Sequence, residues 1–396
     1  MPIVVAERGI QEREMAESNS DSKPQARWLG LLRSEISLAI GVATALVFGL
    51  QGPAWMESMS AGGLLGLSAV LFAVILAAAF GVVRHADALA VLLGEPYGTL
   101  ILTISVISIE VMVISAVMLT GNDNPTLARE TMYAVVMIVL NGMVGITLIV
   151  GGIRHHEQEY NLQGANAFLA LILPLAVISL ILPNYTQSTE GPTLSDLQEV
   201  FLCVVSLGLY AVFLAVQTVR HRSYFIAPGT ANPAGPDIGD EHPGLILRRP
   251  WVHGVLLLAY LLPIVFLSKK IGFPIDYAID RFGAPAALGG FIVAVLVLTP
   301  EVLSAIRAAL ANRIQRSVNI FLGSVAATIA LTVPAVLTIS LVLGKHVVLG
   351  LGPVDSILLV LTLAVCMVTF GSGRTNVLQG AVHIVLFLAY LVLIFD

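Results

Sequence analysis

Two glutamates lie deep inside apolar stretches of this sequence. Glu110 is near the end of GTLILTISVISIEV, and Glu301 is near the end of GGFIVAVLVLTPEV. The two stretches align without a gap, so that Glu110 corresponds to Glu301 and Ser108 corresponds to Thr299. Each glutamate lies 12 residues into its stretch, which is about 18 Å along a helix that rises 1.5 Å per residue. Both carboxyl groups are therefore predicted near the middle of a membrane.

A carboxylate at the centre of a bilayer costs at least a few kcal/mol unless it is protonated, paired or facing a wet cavity. No lysine or arginine lies in the body of an apolar stretch, so the natural partner is a cation from solution. Two carboxylates supply four of the six to eight oxygen ligands that Ca²⁺ prefers. A single buried acid that is hydrogen-bonded for packing is the alternative, and it accounts less well for two glutamates at corresponding positions.

Polar side chains on neighbouring stretches are candidates for the remaining oxygen ligands. Asn141 lies in MIVLNGMVG, and Ser324 and Thr328 lie four residues apart in FLGSVAATIAL, which places these two on one helix face. Ser108 and Thr299, two residues before each glutamate, complete the predicted set. An amide oxygen is a more specific signal than a hydroxyl in a membrane helix, so we rank Asn141 ahead of Ser324 and Thr328.

Proline and proton chemistry extend this hypothesis. Pro300 has no amide hydrogen, so the carbonyl of Leu296 loses its helical partner and could bind a cation, although a simple kink is the alternative role. Burial disfavours the charged form of a carboxylate, and two acids in one site disfavour it further. The pair should hold protons when empty and ionise when a cation arrives. The residues thus predict obligatory exchange of cation for proton.

The composition identifies the surroundings of the two glutamates. Of 396 residues, 57% are hydrophobic and 11% are charged, against roughly 25% charged in soluble domains. A helix needs about 20 apolar residues to cross a membrane. The sequence predicts an all-α polytopic membrane protein with eleven spans: 35–51, 62–83, 98–119, 131–152, 165–183, 197–219, 251–268, 285–306, 317–343, 354–370 and 377–395.

The positive charges predict an orientation. With eleven spans the loops alternate between sides, and the side that holds the N-terminus collects fifteen of the 20 lysines and arginines. By the positive-inside rule, the N-terminus is cytoplasmic and the C-terminus is outside.

Five segments describe the predicted domain organisation. Removing the first helix leaves five spans on either side of a proline-rich polar segment, and an odd number of helices per unit makes the second unit enter from the opposite side. Inverted repeats of this kind form transporter sites at the midplane. The segments are a disordered tail (1–34), the first helix and loop (35–61), the first repeat (62–220), a flexible linker (221–250) and the second repeat (251–396).

Three motifs carry a resemblance to a known family: VVRHADALAVLLGEPYG, LTPEVLSAIRAALANRIQRSVNIFLGSVAATIALTVP and GSGRTNVLQGAVH. With them, the chain resembles bacterial ChaA-type sodium/calcium:proton antiporters of the calcium/cation antiporter superfamily. The resemblance implies a cation-binding glutamate in each repeat, here Glu110 and Glu301, alternating access by sliding of gating helices, and a bacterial inner membrane location. It leaves Ser324, Ala327 or Thr328 as the counterpart of the family's polar ligand.

The sequence departs from the wider family beside both glutamates. Where calcium:proton exchangers of the superfamily usually have Gly-Asn, this chain has Val106-Ile107 and Val297-Leu298. The transported ion, whether Ca²⁺, Na⁺ or K⁺, stays open for this reason.

Charged residues near the end of the second span form another candidate site. His85, Asp87 and Glu95 could make a gate or a proton path, although interfacial charges that anchor a helix end are commoner. His383, inside the last span, is expected to be a hydrogen-bonded packing residue, with a proton relay as the lesser alternative.

Two other function classes fit these residues less well than exchange does. An intramembrane hydrolase is disfavoured because the sequence has no nucleophile motif, phosphate loop or metal triad. A cation channel needs a continuous pore, whereas two protonatable acids at one point favour exchange. We expect no cofactor and no nucleic-acid partner, and the predicted partners are the lipid bilayer and small inorganic cations.

Overall fold

The computed structural model describes residues 35–51, 55–56, 58–93, 97–120, 125–229, 249–344 and 347–395. The predicted tail 1–34, most of the predicted linker, and Glu95 lie outside these ranges. Eleven long helices lie within them: α1 Ile36–Gln51, α2 Ala61–Leu93, α3 Tyr97–Thr120, α4 Leu127–Met137 continuing to His155, α5 Leu162–Leu180, α6 Asp196–Ala215, α7 Pro250–Phe282, α8 Ala286–Leu310, α9 Ile314–Ala327 continuing to Leu343, α10 Pro353–Thr369 and α11 Val377–Leu393.

The predicted all-α polytopic architecture is confirmed. Seven of the helices are long and apolar enough to cross a membrane, and four shorter apolar helical segments accompany them. Helices α2 and α7 are each 33 residues long and exceed their predicted spans, 62–83 and 251–268. A helix continues as long as its backbone hydrogen bonds continue. Polar residues near the end of a helix lower the hydropathy without ending the helix, so the apolar run is shorter than the helix.

Helices α4 and α9 are the most enclosed of these candidate spans. Inside the molecule, 83% of the apolar window of α4 and 67% of that of α9 are buried, against 28–50% for the other five. Each changes to π-helical geometry near its middle, at Ile138–Met143 in α4 and at Thr328–Thr332 in α9. Turns of this kind are rare and frequently lie at functional sites.

The buried apolar side chains form two separate clusters. The larger joins α4, α5, α6, α9, α10 and α11, and the smaller joins α1, α2 and α7. The two glutamate helices contribute to both: Ile114 of α3 and Leu298 of α8 lie in the larger cluster, whereas Val113 and Val297, their neighbours, lie in the smaller. Helices α3 and α8 therefore lie at the boundary between the clusters.

Two glycines mark close helix contacts. A Cβ atom at Gly81 of α2 would overlap the ring of Tyr260 on α7, and one at Gly290 of α8 would overlap the backbone of α4 at Glu130 and Thr131. Small residues let membrane helices approach closely in this way. Both pairs are consequently packed against each other with no room for a larger residue.

A small sheet joins two loops on one face of the molecule. Strand β1 (Gln158–Glu159) pairs antiparallel with strand β2 (Arg374–Thr375). The main chain of the α4–α5 loop is thereby fixed to that of the α10–α11 loop.

The first residues of the predicted flexible linker, 221–250, are ordered. Arg222–Phe225 is a short 3₁₀ helix, and Phe225 is buried against the rings of Phe168 and Phe213. Phe225 thus attaches this end of the predicted linker to the core, an apolar contact that the proline-rich composition did not suggest. Residues 230–248 lie outside the described ranges.

Candidate cation-binding site

Glu110 of α3 is enclosed in the centre of the molecule. The residue is 1% exposed. Its Oε2 accepts a hydrogen bond of 2.8 Å from the hydroxyl of Thr328 on α9. The other carboxyl oxygen, Oε1, is buried and has no hydrogen-bond partner among the described residues. Buried polar atoms are nearly always satisfied in native structures, so this oxygen has the character of a ligand position.

Glu301 of α8 meets the same helix. Its Oε2 accepts a hydrogen bond of 2.6 Å from the hydroxyl of Ser324, and the residue is partly exposed. Because Ser324 and Thr328 are one turn apart on α9, one face of this helix donates to both carboxyl groups. The charges of the two carboxyl groups are close enough to interact. The predicted pairing of Ser324 and Thr328 on one face is thus what the structure has.

The local sequence explains how α9 reaches both carboxyl groups. The hydroxyl of Ser317, near the start of α9, donates a hydrogen bond of 2.7 Å to the carbonyl of Ala305 on α8, which fixes the two helices together. Phe321 and Val325 of α9 are buried in the larger apolar cluster. The polar face that begins at Ser324 is thereby held against α3 and α8.

Thr332 is a site residue that the sequence analysis missed. It lies one turn beyond Thr328, at the end of the π-helical turn, is fully buried and lies beside Glu110. Its hydroxyl has no hydrogen-bond partner in the described part of the chain. The sequence spacing could have predicted this residue, because Ser324, Thr328 and Thr332 follow one another at intervals of four.

Asn141 faces other helices. The fully buried side chain donates a hydrogen bond of 2.9 Å to Thr362 of α10, and its amide oxygen lies 3.3 Å from Nδ1 of His383 on α11. Nε2 of His383 in turn lies 2.9 Å from the hydroxyl of Thr369. The two hydroxyls of α9 contact the carboxyl groups, whereas Asn141 belongs to a polar network between α4, α10 and α11. These contacts favour Ser324 and Thr328 over Asn141 as ligands, which is the opposite of the predicted ranking. His383 has the hydrogen-bonded packing environment that we expected.

Ser108 and Thr299 bond to their own helices. The hydroxyl of Ser108 donates to the carbonyl of Ile104 at 2.6 Å, and that of Thr299 donates to the carbonyl of Val295 at 2.5 Å. Hydroxyls inside helices commonly bond to the carbonyl four residues earlier. The structure therefore does not bring these two predicted ligands to the carboxyl groups through hydrogen bonds.

The three predicted gate residues have different positions. His85 is buried and contacts Glu35 and His253, which lie outside α2. Asp87 is partly exposed two residues further along α2, and Glu95 lies outside the described residues. His85 therefore connects α2 to residues of other segments. We predicted either a proton path or an interfacial anchor for it, and neither role included such a contact.

The oxygen atoms at Glu110 and Glu301 can serve either a proton or a hard cation. Within the described residues, no three His, Cys, Asp or Glu side chains converge on one metal position. A cation at this site would therefore combine the two carboxylates with hydroxyl, carbonyl or water oxygens, which suits Na⁺, K⁺ or Ca²⁺.

The sequence matches the model of the sodium/calcium exchanger protein family over residues 63–219 and 252–395. The chain belongs to this family. It is 44% identical to the putative ionic transporter y4hA of Sinorhizobium fredii, a match that covers 80% of this chain and 85% of that protein. It is also 39% identical to the sodium-potassium/proton antiporter ChaA of Escherichia coli, covering 91% of this chain and 96% of that protein. These matches confirm the resemblance drawn from the three motifs.

A solved structure has the fold of this sodium/calcium exchanger family member. The native YfkE structure superposes with a TM-score of 0.68 at 20% sequence identity, and the match covers 91% of this chain and 99% of that chain. At this identity the likeness speaks for the fold alone. It agrees with the confirmed prediction of a polytopic helical transporter, and family membership makes the chain a transporter and not an enzyme.

Proposed function

We propose that the chain is a secondary antiporter that exports Na⁺, K⁺ or Ca²⁺ in exchange for H⁺ at Glu110 and Glu301. The observation that carries this proposal is the buried Oε1 of Glu110, which is without a hydrogen-bond partner among the described residues, on a carboxyl group that α9 holds near Glu301. Such an oxygen is satisfied by a proton or by a cation, and one ligand excludes the other.

Coupling follows from charge. An ionised pair that binds no cation is strongly disfavoured in a buried site, so the empty carboxyl groups take up protons before the protein changes state. A bound cation replaces those protons. Only the proton-loaded or cation-loaded protein moves between its two open forms, and cation flux in one direction therefore requires proton flux in the other.

The two apolar clusters suggest which parts move. Helices α1, α2 and α7 share the smaller cluster, and α3 and α8 lie at its boundary with the larger one. We propose that the smaller group slides along this boundary and opens the carboxyl groups to each side in turn. The predicted halves 62–220 and 251–396 would supply one glutamate each, with the N-terminus in the cytoplasm and the C-terminus outside.

The relatives suggest the cargo. Escherichia coli ChaA is named a sodium-potassium/proton antiporter, whereas YfkE is described as a Ca²⁺/H⁺ antiporter. Because this chain is 39% identical to the former and 20% identical to the latter, we propose Na⁺ or K⁺ as the first cations to test and Ca²⁺ as the next.

A transport assay with matched variants tests the proposal. In vesicles loaded with a pH-sensitive dye, an imposed cation gradient should drive proton movement with the native chain. Glu110→Gln and Glu301→Gln keep the side-chain shape but cannot ionise, so each should abolish the exchange. Glu190→Gln, in an exposed loop, is the control and should transport normally.

The outcomes separate the alternatives. Near-normal exchange by either site variant at an equal amount of inserted protein would rule out a two-carboxylate site. Cation flux without reciprocal proton movement in the native chain would identify a channel.

A further inference from the structure

A polar cluster joins α1, α2 and α7 far along the chain from both site glutamates. Oε2 of Glu35, the residue before α1, accepts hydrogen bonds from Nη2 of Arg84 at 2.6 Å and from the hydroxyl of Tyr260 at 3.0 Å. The same oxygen lies 3.2 Å from Nε2 of His85. Nδ1 of His85 lies 3.0 Å from Nδ1 of His253 on α7, and both histidines are 2% exposed.

This cluster lies at one end of the helix group that we propose to move. Glu35 precedes α1, His85 lies in the last turns of α2, and His253 lies in the first turn of α7. We call this end of the molecule the N-terminal face. The ring of Tyr260 packs where Gly81 leaves space, so the polar contacts continue directly into the closest packing between α2 and α7.

The contact between the two imidazoles limits the number of protons that the cluster can hold. Each Nδ1 atom is either a donor or an acceptor, so their hydrogen bond needs one hydrogen between them. If His85 is neutral and donates from Nε2 to Glu35, it accepts from His253. If His85 is charged, it donates from both nitrogens and His253 accepts. A second charge would put a hydrogen on both Nδ1 atoms, and the bond could not form.

The neighbouring charged groups do not remove this limit. Arg84 already pairs with Glu35 at 2.6 Å, which keeps the carboxylate ionised and partly neutralised. Asp87 of α2 and Arg249, directly before α7, are further charged groups near this end, and the other charged residues of α7 lie in its second half, from Lys269 onward. Imidazole is the side chain whose charge changes near neutral pH, and the geometry of this contact admits one hydrogen between the two rings.

We propose that His85 and His253 form a proton-sensitive contact between α2 and α7 that lowers transport when the N-terminal face becomes acidic. The sign follows from the proton count. The hydrogen bond exists with no extra proton or with one, and it is lost when a second proton binds as pH falls. Under the orientation proposed above, this face is cytoplasmic, and an exchanger that brings protons in would slow as the cytoplasm acidifies.

A substitution that keeps the hydrogen bond but removes the titration tests this inference. In His253→Asn, the side-chain amide can occupy the place of Nδ1–H and donate to His85 without ever becoming charged. Initial transport rates are measured while pH on the N-terminal face is varied and pH on the other face is held constant. We expect the native rate to fall as this pH is lowered from about 7.5 to about 5.5, which is roughly the range over which an imidazole changes charge. The rate of His253→Asn should fall clearly less.

His156→Asn is the matched control. This histidine is exposed in a loop and has a positive φ of 64°, which asparagine tolerates. Its pH profile should equal that of the native chain. If His253→Asn has the native profile as well, the proposal is overturned.

A second measurement does not require transport and so separates this inference from the proposed function. The thermal unfolding midpoint of the purified full chain is compared at pH 7.5 and pH 5.5. The native chain should lose more thermal stability on acidification than His253→Asn does, because only the native contact is broken by a second proton. Equal losses in both proteins would reject the proton-sensitive contact even if exchange itself were established.

Discussion

Helices α4 and α9 are the third helices of the two predicted halves, and each contains a π-helical turn near its middle. Their polar side chains nevertheless face different partners. In α9, Ser324 and Thr328 donate to the two carboxyl groups. In α4, Asn141 bonds to Thr362 and His383 instead. Helices α4 and α9 are therefore alike in their central backbone geometry and different in the use of their central polar residues.

Helix α9 supplies hydroxyl contacts to the site, whereas the polar residue of α4 fixes its own helix to α10 and α11. Both functions need buried polar groups, and both are satisfied by a partner on another helix. The contacts of α9 are to carboxyl groups that we propose to ionise, whereas those of α4 are to a hydroxyl and an imidazole. Substitutions in α9 should therefore change cation affinity, and substitutions in α4 should change stability.

The largest effect on affinity is expected for Thr328→Val. This change removes the hydroxyl that donates to Oε2 of the buried Glu110, and hydrogen bonds to charged groups contribute about 1.5–3 kcal/mol. The apparent cation affinity should fall roughly tenfold to a hundredfold, as measured by the half-saturating cation concentration in vesicles. Thr338→Val is the control on the same helix, because that hydroxyl donates to the carbonyl of Pro334, one turn earlier in the helix. Unchanged affinity in Thr328→Val would contradict the importance of α9.

A smaller effect is expected for Ser324→Ala. Glu301 is partly exposed, so water can replace the missing donor, and the loss should be about two- to tenfold in apparent affinity, equivalent to about 0.5–1.4 kcal/mol. Ser179→Ala on α5 removes a hydroxyl that bonds to its own helix and is the control. If Ser324→Ala lost more apparent cation affinity than Thr328→Val, the hydroxyl bonded to Glu301 would be more important for cation binding than the one bonded to Glu110, contrary to this prediction.

The smallest effect on affinity is expected for Asn141→Ala, which should instead lower stability. Truncation removes the amide partner of the Thr362 hydroxyl and of Nδ1 of His383, and an unsatisfied buried polar group costs about 1–3 kcal/mol of the free energy of unfolding. The thermal midpoint should fall, and the half-saturating cation concentration should change less than in Thr328→Val. A loss of affinity that exceeds that of Thr328→Val would restore the original ranking and end the contrast between α4 and α9.

Much of the site was predictable because it depends on local spacing. The corresponding positions of Glu110 and Glu301 follow from an ungapped alignment, and the shared face of Ser324 and Thr328 follows from the helical repeat. The face of Asn141 did not follow, because a π-helical turn adds a residue to the turn and rotates the side chains after it relative to those before it. The residue pattern of α4 did not predict its π-helical turn.

The fold was predictable where burial in lipid decides it and less so at helix ends. The eleven spans were recovered from apolar runs, whereas the last turns of α2 and α7 contain Arg84, His85 and Lys269, which end a hydropathy signal. The last turns of α2 hold His85, one side of the histidine contact, whereas His253 lies in the first turn of α7. Glu35 and His253 could not be assigned to it from sequence, since they are 50 and 168 residues from His85.

The two-residue ladder of β1 and β2 has a mechanical consequence. Gln158 is bonded to the chain around Ala309 and Asn312 as well as to β2, so three connecting segments are held as one fixed corner. Rotation of α5, α8 or α11 away from this corner would break main-chain and amide bonds together. The corner is thus expected to be a pivot that stays still while the opposite side of the protein changes shape.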